Sequence, residues 1–214
     1  MVSHKSYLSL LVLSGIILSI GLPSSAEAQR RNRGGLRPGE ASLGRLLTLP
    51  KVQEELKLSD KQKTQAAEIN NALTEERHKL FAEVAKESHE RGKKMAELEE
   101  RTSAKVKKLL DEPQQKRLRE ILLQVNGASE LMKKEIQEEI RVSAEQRQKL
   151  VDVNRANAKT RREALAKYEG DKTTKMIELQ RDADKKLLAV LTETQREQFE
   201  KLQGKKISID LFKS

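Results

Sequence analysis

Apolar residues recur at helical spacing through most of this chain, and the helical runs open on one five-residue pattern: an aliphatic residue, a small polar residue, two variable positions and glutamine. It reads Leu58-Ser59-Asp60-Lys61-Gln62, Leu110-Asp111-Glu112-Pro113-Gln114, Val142-Ser143-Ala144-Glu145-Gln146 and Leu191-Thr192-Glu193-Thr194-Gln195. After each glutamine the fourth and seventh residues are apolar (Ala66 and Ile69, Leu118 and Ile121, Leu150 and Val153, Phe199 and Leu202), which places them on one helical face. Each copy therefore predicts the start of an amphipathic helix. The chemistry is that of a capping box. The Ser, Thr or Asp oxygen accepts from a backbone N–H one turn on, and the glutamine reaches back to the N–H of the cap residue. Pro113 fits the same reading, because its missing N–H would have no partner in a first turn.

The four boxes form two pairs, 52 and 49 residues apart, with a repeat period just above eighty. The agreement extends upstream, where Val52-Gln53-Glu54-Glu55-Leu56-Lys57-Leu58-Ser59 answers Ile136-Gln137-Glu138-Glu139-Ile140-Arg141-Val142-Ser143. Such a duplication implies two supersecondary units that bury apolar faces.

The expected fold class is all-α and elongated: two tandem units of long helix plus short helix, a thin aliphatic core and a short extended C-terminal tail. Residues 46–127 make the first unit, with a short helix from Pro50 to Leu56. A long helix follows Ser59 through Ala66, Ile69, Leu73, Leu80, Val84, Met95, Leu98, Val106 and Leu109. Unbroken, it would run roughly 75 Å. Gly92, in the polar stretch 86–94, is a candidate bend. A shorter helix from Glu112 ends at Gly127, which suits a left-handed cap. Residues 128–204 repeat the plan, with a lead-in helix around 130–140, a long helix over 144–190 containing Gly170, and a last helix over 193–203 capped by Gly204. The tail, 205–214, alternates apolar and polar residues and predicts an extended segment.

The first 28 residues have the organisation of an export signal: Lys5, an apolar stretch over 7–22, and Ala26-Glu27-Ala28 as cleavage site. Ser9, Ser14 and Ser19 weaken the rival reading, an uncleaved anchor. The mature chain is expected to be periplasmic or secreted. It contains no cysteine, which excludes disulfides, a lipobox and thiolate chemistry. Aromatic residues beyond the signal are few (Phe81, Tyr168, Phe199, Phe212), consistent with a thin seam of aliphatic side chains. The net charge of +10 survives processing, since Lys5 and Glu27 cancel. Residues 29–45 are expected to form a flexible basic arm around Arg30, Arg31 and Arg33, capable at most of peripheral membrane contact. A basic surface attracts nucleic acid, anionic lipid or acidic polypeptide, and export sets nucleic acid aside.

Leu191-Thr192-Glu193-Thr194-Gln195 matches an LTxxQ motif outright, Leu58-Ser59-Asp60-Lys61-Gln62 differs by a hydroxyl swap, and the other two copies are degenerate. Over most of 52–204 the chain thus resembles the LTxxQ-motif (Spy/CpxP-like) proteins of the bacterial envelope, in tandem. The resemblance implies an exported, basic, long-helical protein, each unit answering to one family subunit. Members of that family form thin cradle-shaped dimers that hold partly folded clients without ATP.

A binding surface follows from a thin helical layer whose apolar stripe is incompletely covered and whose rim is basic. Arg91, Lys93, Lys94, Arg161, Arg162 and Lys167 are the candidates for steering acidic, unfolded polypeptides. The alternative reading is a structural or regulatory helical protein that binds a specific envelope protein, or self-association. Some relatives bind metal, but His78 and His89 stand eleven residues apart, roughly 16 Å along a straight helix, too far to share an ion. No cofactor is implied. Enzymatic chemistry has no support either, since there is no phosphate loop, nucleophile elbow or paired-histidine motif.

Overall fold

The computed structural model describes residues 41–83 and 89–208, all within one compact unit that spans Gly35–Lys213. Residues 1–40, 84–88 and 209–214, which include the stretch expected to be an export signal and most of the expected arm and tail, lie outside the described residues. The fold is all-α. Nine α-helices and one 3-10 helix appear among the described residues, with no strand. In chain order they are α1 (Leu43–Leu46), α2 (Pro50–Glu55), α3 (Asp60–Glu83), α4 (His89–Leu109), α5 (Glu112–Asn126), the 3-10 helix (Gly127–Met132), α6 (Lys134–Glu139), α7 (Ala144–Ala166), α8 (Lys172–Leu188) and α9 (Glu193–Leu202). None of them is long and apolar enough to cross a membrane.

Neither long helix is continuous. α3 packs along α4 in the opposite direction, with Arg101 reaching Glu76 (2.6 Å) and Arg91 lying over the Phe81 ring (4.9 Å). The first of the two ends at Glu83 and the second begins at His89, so Gly92 sits inside α4, with open space around it. In the second half α7 stops at Ala166, and Asp171 restarts the chain by accepting from the N–H groups of Thr173 and Thr174 (3.0 and 3.2 Å); Gly170 lies between the two helices. The physical reason is shared: an isolated helix of fifty residues would leave its apolar stripe in water, whereas folding back lets each half cover the other.

Residues 41–45, expected to be the end of a flexible arm, are instead part of the fold. Ala41 is buried, Ser42 caps α1, and Gly44 brings α1 against Leu73, Ile69 and Thr102. Leu46 and Leu47 that follow are wholly buried. The lead-in stretch of the second half is likewise not one helix, because Lys133 is extended between the 3-10 helix and α6.

Two aliphatic clusters form the core. One gathers Leu46, Leu47, Val52, Leu56, Leu58, Ala66, Val106, Leu110, Leu118, Ile121 and Leu122; the other gathers Leu123, Leu131, Ile136, Ile140, Val142, Leu150, Leu187, Leu191 and Phe199. Each fully buried Leu or Ile contributes about 1.5–3 kcal/mol. Leu122 and Leu123 are neighbours on α5 yet belong to different clusters, so α5 is a wall common to both. Its last residue, Asn126, is buried; it accepts from the Ala41 N–H (2.8 Å) and donates to the Ala41 carbonyl (3.0 Å) and to Glu130 (2.8 Å). Gly127 follows at φ 57°, ψ −142°, outside the left-handed helical region but still a conformation suited to glycine.

Candidate functional site

The residues of the four boxes come together two by two. At each helix start the cap oxygen accepts from the glutamine N–H, and the glutamine Oε1 accepts from the cap N–H, at 3.0 Å for Ser59, 3.2 Å for Asp111, 3.0 Å for Ser143 and 3.0 Å for Thr192. The opposite end of each amide does something that capping alone does not require. Gln62 Nε2 donates to the Leu109 carbonyl (3.1 Å) and to Gln114 Oε1 (2.8 Å), while Gln114 Nε2 donates to the Leu56 carbonyl (3.1 Å) and back to Gln62 Oε1 (3.4 Å). In the second half Gln146 Nε2 donates to the Val190 carbonyl (3.1 Å) and Gln195 Oε1 (2.7 Å). Gln195 Nε2 returns bonds to the Arg141 carbonyl and Gln146 Oε1, both 3.0 Å.

Each glutamine thus uses both amide hydrogens and both lone pairs of its oxygen. The pair clasps two helix starts, α3 to α5 and α7 to α9, by joining each to the chain just before the other. Glutamate would cap as well, yet it would present an acceptor to two further acceptors. The general capping-box rule treats Glu and Gln alike, so the sequence signal for the clasp was the use of glutamine at all four positions. Capping chemistry alone does not reveal that signal.

The approach to each clasp is also repeated. Gln53 Nε2 holds the Leu47 carbonyl and Gln137 Nε2 the Leu131 carbonyl, both at 2.8 Å. Lys57 (φ 52°) and Arg141 (φ 55°) end α2 and α6 in the left-handed region, and the following N–H groups of Leu58 and Val142 return to the Gln53 and Gln137 carbonyls (3.0 and 2.7 Å). This is the six-to-one closure of a Schellman turn, made without glycine.

The six basic candidates lie on two helices. Arg91, Lys93 and Lys94 lie at the start of α4; Arg161, Arg162 and Lys167 lie at the end of α7. Arg91 stacks on Phe81 and donates to its carbonyl (3.3 Å). Lys94 pairs with Glu90 (2.9 Å); the hydrogen bond and charge of each partner hold the Lys94 ammonium above and the Glu90 carboxyl below their ordinary values. Arg161 is half-buried and lines a cavity of about 40 Å³ with Ser129, Asn154, Asn157 and Gln180. Lys93, Arg162 and Lys167 are exposed.

Close to that cavity Asp184 accepts from the Ala128 N–H (3.2 Å) and from Gln180 (2.9 Å). Burial pushes its carboxyl above the ordinary aspartate value, and those two hydrogen bonds act in the opposite direction. A side chain on Gly127 would meet Asp184 Oδ2 at 2.7 Å. His78 and His89 lie on different helices and are exposed. Among the described residues no group of three or more His, Cys, Asp or Glu side chains is placed to hold a metal ion.

Compared with protein-family models, with curated proteins and with solved structures, the chain finds no match in any of the three.

Proposed function

We propose that this chain is an exported helical binding protein that holds partly folded polypeptides without ATP, in the manner of the LTxxQ-motif envelope proteins its boxes resemble. On this reading the chain is a tandem pair of units, each built on one glutamine clasp, and it acts in the periplasm or outside the cell after loss of residues 1–28.

The observation that supports it most is the state of the two hairpins away from the clasps. Beyond Leu73 in α3 and before Leu98 in α4 no residue is buried, and the same holds between Leu150 and Leu187 across α7 and α8 among the described residues. Phe81 is 52% exposed, and Leu80, Met95, Leu165, Met176, Ile177 and Leu179 are only half-covered. Such partly wet apolar rows, flanked by Lys93, Arg162 and Lys167, suit weak contact with many sequences better than one rigid interface. The basic rim adds attraction for acidic chains that salt screens within about 8–10 Å.

The test is aggregation of a denatured, acidic client followed by light scattering with residues 29–214 present. Suppression near a stoichiometric ratio, weakened by the triple variant Lys93→Glu, Arg162→Glu, Lys167→Glu, is the expected result. No suppression at several-fold excess removes the chaperone reading and favours a dedicated envelope partner.

A further inference from the structure

The last described residues do not trail away from the fold. After α9, Gly204 turns the chain at φ 61°, and residues 203–207 lie along α5. One side chain there reads the main chain of this segment. Gln124 Nε2 donates to the carbonyls of Gln203 (2.5 Å) and Lys205 (2.8 Å), and its Oε1 accepts from the Ile207 N–H (2.9 Å). The Ile207 side chain, half-buried, packs on the first aliphatic cluster. Glu120, held by Arg117 (2.7 Å), closes over Gly204 so tightly that a Cβ there would meet its carboxylate.

We infer that Glu120, Gln124 and the adjoining apolar surface form a seat for an extended polypeptide segment, kept closed by residues 203–207 of this same chain. The occupant it recognises carries a glycine three positions before an aliphatic residue. Everything else is held through main-chain groups, which every sequence has. The strap is anchored by two hydrogen bonds donated by Gln124, one that it accepts, and one half-buried isoleucine, which places it at the low-stability end of the structure, where local opening is frequent. This inference rests on the proposed function and adds to its hairpin rows a second contact, on α5, for one extended stretch of a client.

The full mature chain carrying Ile207→Asp releases the strap and leaves the seat intact. A fluorescent peptide of sequence 203–214 should bind this variant at least about tenfold tighter than wild type, whose seat is filled, and adding Gln124→Ala should weaken binding at least about tenfold. Equal affinity for wild type and Ile207→Asp, or no loss on adding Gln124→Ala, overturns the seat. Should Ile207→Asp fail to fold, hydrogen exchange in wild type decides: saturating peptide must lower protection of the chain's own Ile207 amide, and unchanged protection overturns the proposal. Aggregation suppression is measured on the same proteins. Suppression without peptide capture sinks the seat alone, and capture without suppression sinks the chaperone reading alone.

Discussion

Replacing Gln195 by glutamate separates the clasp from an ordinary capping box. The variant keeps the length of the side chain and the acceptor that caps Thr192, and it can still accept from Gln146 Nε2. It loses both donations, leaving the Arg141 carbonyl and Gln146 Oε1 facing a carboxylate at a residue only 9% exposed. The Arg141 carbonyl, left without this donor, costs about 1–3 kcal/mol, and Gln146 Oε1, which keeps the Ser143 N–H, now faces a part-buried charge, so the loss should be about 2–4 kcal/mol. At about 2–4 °C per kcal/mol for a chain of this size, the unfolding midpoint should fall by roughly 5–15 °C. Burial and the facing acceptors favour the protonated acid, so the new carboxyl titrates above its unfolded value of about 4.3. Its protonated form restores one donor; that stability is present below about pH 4 and is lost as pH rises through the folded value. Thermal unfolding by circular dichroism at pH 4 and pH 7, with exposed Gln65→Glu as control, measures both parts. A Gln195→Glu midpoint within about 1 °C of wild type at pH 7, or a gap equal at both pH values, would refute the reasoning.

Lys57 and Arg141 hold left-handed backbone that costs a side-chain-bearing residue about 1–2 kcal/mol. Lys57→Gly and Arg141→Gly should each stabilise by about 0.5–1 kcal/mol after the entropy of glycine is subtracted, and a lowered midpoint in urea unfolding would count against the turn geometry. Asp184, with its pKa raised by burial, binds its proton more tightly in the folded protein. Its stabilising effect is therefore complete below the ordinary value of 3.8 and fades as pH rises through the folded value. Asp184→Asn keeps an acceptor for Ala128 and Gln180 without the charge, so its midpoint relative to wild type should rise between pH 3.5 and pH 7. A difference that stays flat, or falls, contradicts the burial argument.

The helix starts were legible because capping is local: cap residue, glutamine and apolar face all lie within a dozen positions of sequence. The hairpins were not, because helical periodicity is blind to a reversal that keeps its phase. Gly92 offered a misleading breaker, because it lies inside α4, which begins upstream of it at His89. Gly170 did mark the second reversal, with Asp171 beside it as a cap. Leu46 and Leu47 were visible as apolar, but their complete burial depends on α3, α4 and α5 arriving from up to eighty residues away. Among the basic candidates, the sequence could not distinguish Lys94, paired with Glu90, and Arg91, stacked on Phe81, from exposed Lys93, since only the folded hairpin sets their neighbours. Gln124 showed no signal, since nothing local to it hints at a partner some eighty residues downstream.

The glutamines act in pairs across helix starts, and a double-mutant cycle tests this most directly. Gln146→Ala, Gln195→Ala and the double variant, with the same set for Gln62 and Gln114, are compared by urea unfolding. Because the first deletion already breaks the two bonds shared by the facing amides, each double variant should be less destabilised than the sum of its singles by about 1 kcal/mol or more, while Gln62 combined with Gln195 should be additive within about 0.5 kcal/mol. Additivity within both pairs would mean that each glutamine merely caps its own helix, and the clasp would be contradicted.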